Sequence, residues 1–401
     1  MKTRKYPIFR CTYSQNLKNN KLKKALNIKG IFYEVKRVKI IIAPDSFKGT
    51  LTAVQVCDIM SAAVRSVDIN AEIITIPVAD GGEGTVDAFG ADKIYADVTN
   101  PDGKQIRSYY GTLNNTAVIE MAACAGLPLT EFKNPELTTT YGVGELILHA
   151  LDNGYREFIV GLGGSATNDG GTGMAAALGV KFIDSAGGTF IPVGGTLDKI
   201  ARIDLSPLDP RIAESHFITM CDIDNKLYGE RGAAYIFAPQ KGADAEMVKR
   251  LDNGLIHFAN LIGGDIADLP GGGAAGGMGA GMAAFLNSEL KSGIDTVLDT
   301  VGFDRHLTDI DVIFSGEGKF DDQSIHGKVV SGIANRIANR DIPFIVIAGS
   351  VDDSVSLTDT GITAVMSIQR TPLPFDESKL RSEQDLFNTM KNMINILYKL
   401  Y

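Results

Sequence analysis

The chain has 401 residues with 44 Gly, no Trp and a 44% apolar fraction, which describes a globular protein of roughly two or three domains. Its net charge of −9 is uneven. Residues 1–37 hold 11 of the 39 Lys and Arg but only Glu34 of the 48 acids, a net +10 against −19 for the remainder, so the acidic body excludes nucleic acid as the expected partner. Cys11, Cys57, Cys124 and Cys221 are widely spaced without a CxxC pair, which suggests neither a disulfide framework nor a zinc site and points to the reducing cytoplasm. No apolar run approaches the ~20 residues of a membrane helix, and the N-terminus lacks a secretory core.

Residues 1–37 are basic, poor in small residues and without period. They are expected to be a disordered or non-native extension ahead of a start near Val38, dispensable for folding and activity. From Val38 strands and helices alternate. Residues 38–43 are a continuous β-branched run, as a strand buried on both faces requires, and end in PDSFKGTLTA. Asp45, Ser46 and Lys48 thus follow a strand's C-terminal end, where ligands of open α/β sheets collect. The next strand, 73–78, ends in ADGGEGT, with Asp80 and Glu83 flanking glycines. A lone acidic turn is more often a solvated loop or cap, but two consecutive strands feeding such turns to one sheet edge favour a site.

Residues 92–121 read as short hairpins with turns at Asn100-Pro101-Asp102-Gly103 and Asn114-Asn115, the entry to a second domain. A helix over 141–151 precedes the sequence GLGGSATNDGG at 161–171. Its glycines permit close backbone approach, Ser165, Thr167 and Asn168 add polar groups, and Asp169 can cap the coming helix. Such a turn offers amide groups and a helix dipole to an anion, although a tight turn without ligand has the same spacing. A strand at 180–183 follows. The predicted strand 217–220 delivers Cys221, Asp222, Asp224 and Asn225, whose closely spaced carboxylates and amide suit Mg²⁺ or, more plainly, form an Asx-turn cluster. A helix covers 243–261. The run PGGGAAGGMGAGMAAFL from Pro270 is either close helix packing or a second phosphate cradle, and a site role is weakly preferred.

After it, strand 312–314 leads to the predicted loop SGEGKFDDQSIHGK, which carries Glu317, Lys319, Asp321, Asp322, His326 and Lys328. It is not a P-loop, because Asp322 and Val329 occupy the positions of the first glycine and the hydroxyl. Strands at 343–349 and 363–368 and a C-terminal amphipathic helix complete the chain.

The series APDSFKG, ADGGEGT, GLGGSATNDGG, CDIDN, APQKGA, GGGAAGGMGAG and SGEGKFDDQS, in this order, resembles the bacterial type I glycerate kinases from Val38 to Tyr401. Residues 1–37 have no counterpart there, and residues 369–378 depart from the usual form. The resemblance implies an α/β protein of two domains: a Rossmann-like parallel-sheet domain from both chain ends (38–91 and 292–401) and a second α/β domain inserted within it (92–291). It further implies ATP-dependent phosphorylation of D-glycerate at the 2-hydroxyl with Mg²⁺, in the cleft between domains. The partner is then a small molecule, with neither nucleic acid nor membrane, and a homo-oligomer is compatible with these features.

Phosphoryl transfer needs phosphate donors, a metal, a cation on the transferring group and an orienting carboxylate. Gly163, Gly164 and Ser165, with Thr167 and Asn168, are assigned to the nucleotide, and Asp222 or Glu317 to the metal. Lys48 is assigned to charge neutralisation, and one of Asp169, Asp321 or Asp322 to the hydroxyl. Asp45, Ser46, Asp80 and Glu83 are candidates for glycerate, with Lys241 or Lys328 for its carboxylate. Two rival readings stand beside the kinase. Gly161, Gly163 and Ala166 match GxGxxA with Asp184 about 20 residues on, as in an NAD-linked hydroxy-acid dehydrogenase; the other is a catalytically silent metabolite-binding protein. Phosphorylation of the 3-hydroxyl is the alternative regiochemistry.

Overall fold

A computed structural model describes residues 37–79, 81–325 and 329–400, and Val38–Tyr401 form one unit. The basic segment 1–36, Asp80, His326 and Lys328 lie outside the described residues.

Strand β1 (Lys39–Ile42) leads to helix α1 (Ala53–Val67), and β2 (Glu72–Thr75) to the single turn α2 (Thr85–Ala88). Strands β3 (Asp92–Thr99), β4 (Gln105–Leu113) and β5 (Thr116–Glu120) follow as two hairpins, then α3 (Ala122–Ala125) and α4 (Tyr141–Asp152). Next come β6 (Glu157–Gly161), α5 (Thr172–Ala177), β7 (Lys181–Ile183), β8 (Thr189–Phe190), β9 (Arg202–Asp204) and β10 (His216–Met220). Helices α6 (Ala233–Phe237), α7 (Ala245–Ile262) and α8 (Ala274–Leu286) precede β11 (Glu289–Lys291). The chain closes with α9 (Gly293–Thr300), β12 (Val312–Phe320), α10 (Val329–Ile337), β13 (Phe344–Val351), β14 (Ala364–Ser367), α11 (Phe375–Ser378) and α12 (Ser382–Leu400).

The first and last parts of the chain build one five-stranded sheet, ordered β14-β13-β12-β1-β2 and parallel throughout. Successive β1 side chains face opposite ways. Ile40 and Ile42 enter a core with Val56 and Met60 of α1 and Leu386, Met390 and Ile394 of α12. Ile41 enters a second core with Val297 of α9 and Val330 and Ile333 of α10. Both faces are therefore covered, which is why β1 is apolar at every position. Helix α1 starts sharply because Thr52 and Gln55 form a reciprocal capping box, Gln55 N to Thr52 Oγ1 at 3.2 Å and Thr52 N to Gln55 Oε1 at 2.9 Å. Counting strands along the chain, the spatial order is 2-1-3-4-5, the flavodoxin-like doubly wound arrangement rather than the full dinucleotide-binding order. Its switch point lies between β1 and β12.

The middle of the chain builds a six-stranded mixed sheet, β11-β10-β6-β5-β4-β3, and a separate three-stranded antiparallel sheet, β8-β7-β9. On the six-stranded sheet Ala117, Ile119, Phe158, Val160 and Phe217 face α4, α7 and α8. Val118, Ile159 and Met220, on the opposite face, share the second core with Ile76, Val78, Val86 and Phe89, so the two sheets meet through one apolar cluster.

One element differs from expectation. The polar stretch after residue 314 is not a loop, because β12 continues to Phe320, paired with β13 up to Phe320↔Val351. Glycine permits the close packing there. A Cβ on Gly349 would stand 2.4 Å from Gly318 O, and one on Gly318 3.2 Å from Lys48 N. Glu317 and Lys319 are consequently strand residues. No helix among the described residues is long and apolar enough to cross a membrane.

Candidate active site

The loops that leave β2 and β6 touch backbone to backbone. A Cβ on Gly161 would lie 2.3 Å from Gly81 O, one on Gly163 would lie 2.6 Å from Gly82 Cα, and the Gly163 amide donates to Gly81 O at 3.0 Å. The two glycine motifs thus serve one another, since any side chain at either would part them. Beyond this contact Gly164 adopts φ +77° and the chain runs beside residues 125–127, with Leu127 N donating to Gly164 O and Ala166 N to Ala125 O. Among the described residues no hydrogen bond occupies the Gly164 or Ser165 amide.

These loops wall two cavities. The first, about 700 Å³, combines Gly163, Gly164, Ser165, Lys241, Asp222, Cys221 and Glu120 with the apolar residues Leu127, Pro128, Leu129, Leu162, Met220, Ile223 and Phe237. The second, about 580 Å³, is lined by Asp45, Ser46, Lys48, Thr50, Thr52, Gly82, Gly84 and Asp87. Glu83, Tyr109 and Gly164 belong to both walls, so the cavities adjoin there, with these residues as the neck between them. The second lies where the β1 loop passes β12 at the switch point, with Asp45 N donating to Gly316 O at 2.8 Å.

Lys241 is 2% exposed, and its ammonium donates to Ser165 Oγ at 2.8 Å and Thr167 O at 2.7 Å. Burial pushes its pKa down to about 7, opposed by the charge of Asp169. Gly242 makes the placement possible, because at φ +101° a Cβ there would stand 2.1 Å from Lys133 O. Lys241 therefore sits on the wall of the first cavity beside the glycine turn, away from the second.

Several expected site residues fall elsewhere. Thr167 and Asn168 are fully buried and line neither cavity, because the chain turns inward after Ser165 and presses against Gly276, whose Cβ would lie 2.1 Å from Thr167 O. Asp169 is likewise fully buried. Its Oδ2 accepts from Thr140 N and Oγ1, both at 2.8 Å, and from Gly173 N at 3.3 Å, while Oδ1 accepts from Gly171 N at 3.1 Å. It anchors the turn to α4 and α5 from behind the wall, with its pKa raised by burial against those bonds. Asp321, paired with Lys319 at 3.2 Å, and Asp322 line neither cavity, and Glu317 is buried on β12 off both walls. Asp222 does line the first cavity, with Oδ1 accepting from Gly293 N at the start of α9 at 2.7 Å.

The second glycine run also changes meaning. Ala275, Gly276 and Gly277 have positive φ inside α8, and Cβ atoms on Gly277 and Gly281 would both lie 2.9 Å from backbone carbons of residues 170–171. The glycines admit the 167–171 segment, a structural gain that spacing did not reveal; only Ala274 and Ala275 reach the cavity wall. The dinucleotide fingerprint lacks its context. Residues 162–171 separate β6 from the six-residue α5, β7 belongs to the antiparallel three-stranded sheet, and Asp184 Oδ1 accepts from Ala186 N and Gly188 N within a turn. Sequence reasoning missed Tyr109 and Glu120. The signal for Glu120 was present, a lone charge in the apolar run 117–121.

A doubly wound parallel sheet joined to a mixed sheet, with a glycine turn and a buried lysine at their cleft, defines an α/β protein with two adjoining cavities at the edge of its sheets. A sequence model of the Glycerate kinase family matches residues 40–398. The glycerate kinase of Bacillus cereus is 44% identical over 369 residues, covering 89% of this chain and 97% of that protein. The glycerate 2-kinase of Escherichia coli is 43% identical over 370 residues, with the same coverages of 89% and 97%. A crystal structure of a putative glycerate kinase 2 from Salmonella typhimurium LT2 superposes with a TM-score of 0.82 at 40% identity, covering 91% of this chain and 99% of that one. The chain belongs to the glycerate kinase family and is a kinase.

Proposed function

We propose that this kinase transfers the γ-phosphoryl group of ATP to the 2-hydroxyl of D-glycerate, with the nucleotide in the first cavity and glycerate in the second. The observation that carries this reading is the shared neck at Glu83, Tyr109 and Gly164. Two cavities meeting at one point suit transfer between two bound molecules, where alignment of the reacting atoms supplies much of the rate. The apolar wall from Leu127 to Leu129 with Phe237 suits a purine. The Gly164 and Ser165 amides and Lys241 then face the phosphates. Lys48 and Ser46 receive the glycerate carboxylate and the arriving phosphoryl charge, and the Glu83 carboxylate at the neck orients the hydroxyl.

Mg²⁺ is usually held through one or two carboxylates together with the substrate's phosphates. Among the described residues no three His, Cys, Asp or Glu stand together to hold a metal, so the donor set fits an ion shared with the nucleotide, with Asp222 as its protein contact. Bound there, the ion would neutralise phosphate charge. The free cysteines Cys57, Cys124 and Cys221 accord with a cytoplasmic location. The E. coli relative's name, glycerate 2-kinase, supports the regiochemistry. Purified protein with D-glycerate and ATP-Mg²⁺ is expected to release ADP and give the phosphorus NMR signal of 2-phosphoglycerate. A dominant early 3-phosphoglycerate signal without mutase overturns the regiochemistry, and no ADP release overturns the activity.

A further inference from the structure

Glu120 is the last residue of β5, 1% exposed, and the register partner of Gly161 on β6. Its Oε1 accepts from Val86 N at 2.6 Å, and the neighbouring Gly84 amide also favours the ionised carboxylate. Its Oε2 accepts from the Tyr109 hydroxyl at 3.4 Å. These partners come from two sides of the cleft. Gly84 and Val86 belong to the N-cap and first turn of α2, which follows β2 of the five-stranded sheet, while β4 and β5 belong to the six-stranded sheet. The N-cap of α2 is Gly84 at φ +92°, which offers no side chain, so Glu120, 34 residues along the chain from Val86, caps that turn in its place.

We propose that Glu120 is a positioning residue for phosphoryl transfer: by holding the 84–86 backbone and the Tyr109 hydroxyl at once, it fixes Glu83 and Tyr109 at the neck. This rests on the reading in which both substrates meet there. Ionisation matters because a carboxylate is acceptor-only at both oxygens. A carboxylic acid or an amide presents a donor on one side, which keeps the backbone tie but makes the Tyr109 hydroxyl accept where it had donated, and so re-aims its proton at the neck. A buried unsatisfied amide at α2 would otherwise be costly. The titratable groups facing Glu120 are the neutral Tyr109 phenol from β4 and the charged Asp87 from α2 and Lys93 from β3. Lys93 pairs with Asp87 at 2.7 Å and lies 4.5 Å from the Tyr109 ring centre. Burial raises the Glu120 pKa above the ordinary carboxylate range.

The test compares wild type, Glu120→Gln, Glu120→Ala and Tyr109→Phe by steady-state kinetics against pH, thermal melts and amide hydrogen exchange over residues 82–88. Glu120→Gln is expected to melt close to wild type and to lose roughly 10- to 100-fold in kcat, the scale of a misplaced reacting group. Its KM for glycerate should change less than its kcat, and the acid limb of the wild-type kcat profile should vanish. Tyr109→Phe removes a donor to the carboxylate, so its acid limb should move to higher pH. Exchange over 82–88 should quicken in Glu120→Ala and stay near wild type in Glu120→Gln. Wild-type kcat with an intact acid limb in folded Glu120→Gln overturns the proposal, and so does unchanged exchange in Glu120→Ala. If Glu120→Gln fails to fold, Tyr109→Phe carries the kinetic arm, and an unmoved limb there is equally fatal. A wild type that does not phosphorylate glycerate defeats the functional reading instead, while the exchange arm still decides whether Glu120 holds the loop.

Discussion

The two cavities present their cations in opposite ways. In the first, Lys241 is sealed in the wall, held by Ser165 and the Thr167 carbonyl, with the buried Asp169 on the same turn. In the second, Lys48 is exposed on the short loop after β1, at the switch point of the parallel sheet. A sealed cation is preorganised but loses hydration, which depresses its pKa; an exposed one stays charged and must be brought to its target by the loop. The contrast suggests a division of labour, with Lys241 shaping a standing phosphate site and Lys48 answering charge that grows during transfer.

The strongest challenge to that division is Lys48→Ala. If Lys48 acts in the transition state, kcat and kcat/KM should fall together by roughly 10²- to 10³-fold, as for a lost electrostatic donor. Stability should change by under about 0.5 kcal/mol, as for an exposed position. A normal kcat with an unchanged melt removes Lys48 from the chemistry.

Gly163→Ala probes the seam between the cavities. Its new methyl would stand 2.6 Å from Gly82 Cα, forcing apart the loops that carry the neck. A kcat loss of roughly 10- to 100-fold is expected, with about 1–3 kcal/mol of destabilisation from overpacking. The control is Gly154→Ala, at φ +90° with open space around it, which should cost about 1 kcal/mol and leave turnover intact. Equal kinetics in the two variants would mean that the seam has no catalytic bearing.

A smaller effect is expected from Asp222→Ala, whose activity loss should be partly recovered by raising Mg²⁺, as weakened metal contact requires. Loss of its bond to Gly293 N should lower the melt slightly in any case. A Mg²⁺ titration that coincides with wild type would assign Asp222 to capping α9 alone.

The subtlest prediction concerns Lys241 and pH. Its folded pKa of about 7 lies below the ~10.4 of an unfolded lysine, so between those values the unfolded chain binds a proton that the folded chain does not. Lys241 should therefore make stability rise as pH climbs from about 7 towards about 10, and Lys241→Met should flatten that rise in denaturant melts. Phosphates beside Lys241 should restore its proton. Nucleotide binding near pH 8 should then take up a proton, seen as heat that varies with the buffer's ionisation enthalpy in calorimetry. Buffer-independent heat would separate Lys241 from the phosphates.

What the sequence determined by itself was the layered architecture and which polar turns end at the cleft. Continuous apolar runs such as residues 38–43 declare strands buried on both faces, and a polar glycine turn after each places Asp45 to Lys48 and Glu83 at the sheet edge where the second cavity opens. Those signals are local, so spacing reads them. Tertiary structure decided which polar residues face the cleft, because orientation depends on contacts far away in the chain. Asp169, Thr167 and Asn168 look like ligand groups by type but point inward, since the turn is pinned by Thr140 and Gly276. Glu317 reads as a loop residue but extends a strand, because Gly318 and Gly349 let two backbones close together. Glu120 reaches the first cavity, and Tyr109 the neck, only through the pairing of β4, β5 and β6, which no local pattern encodes.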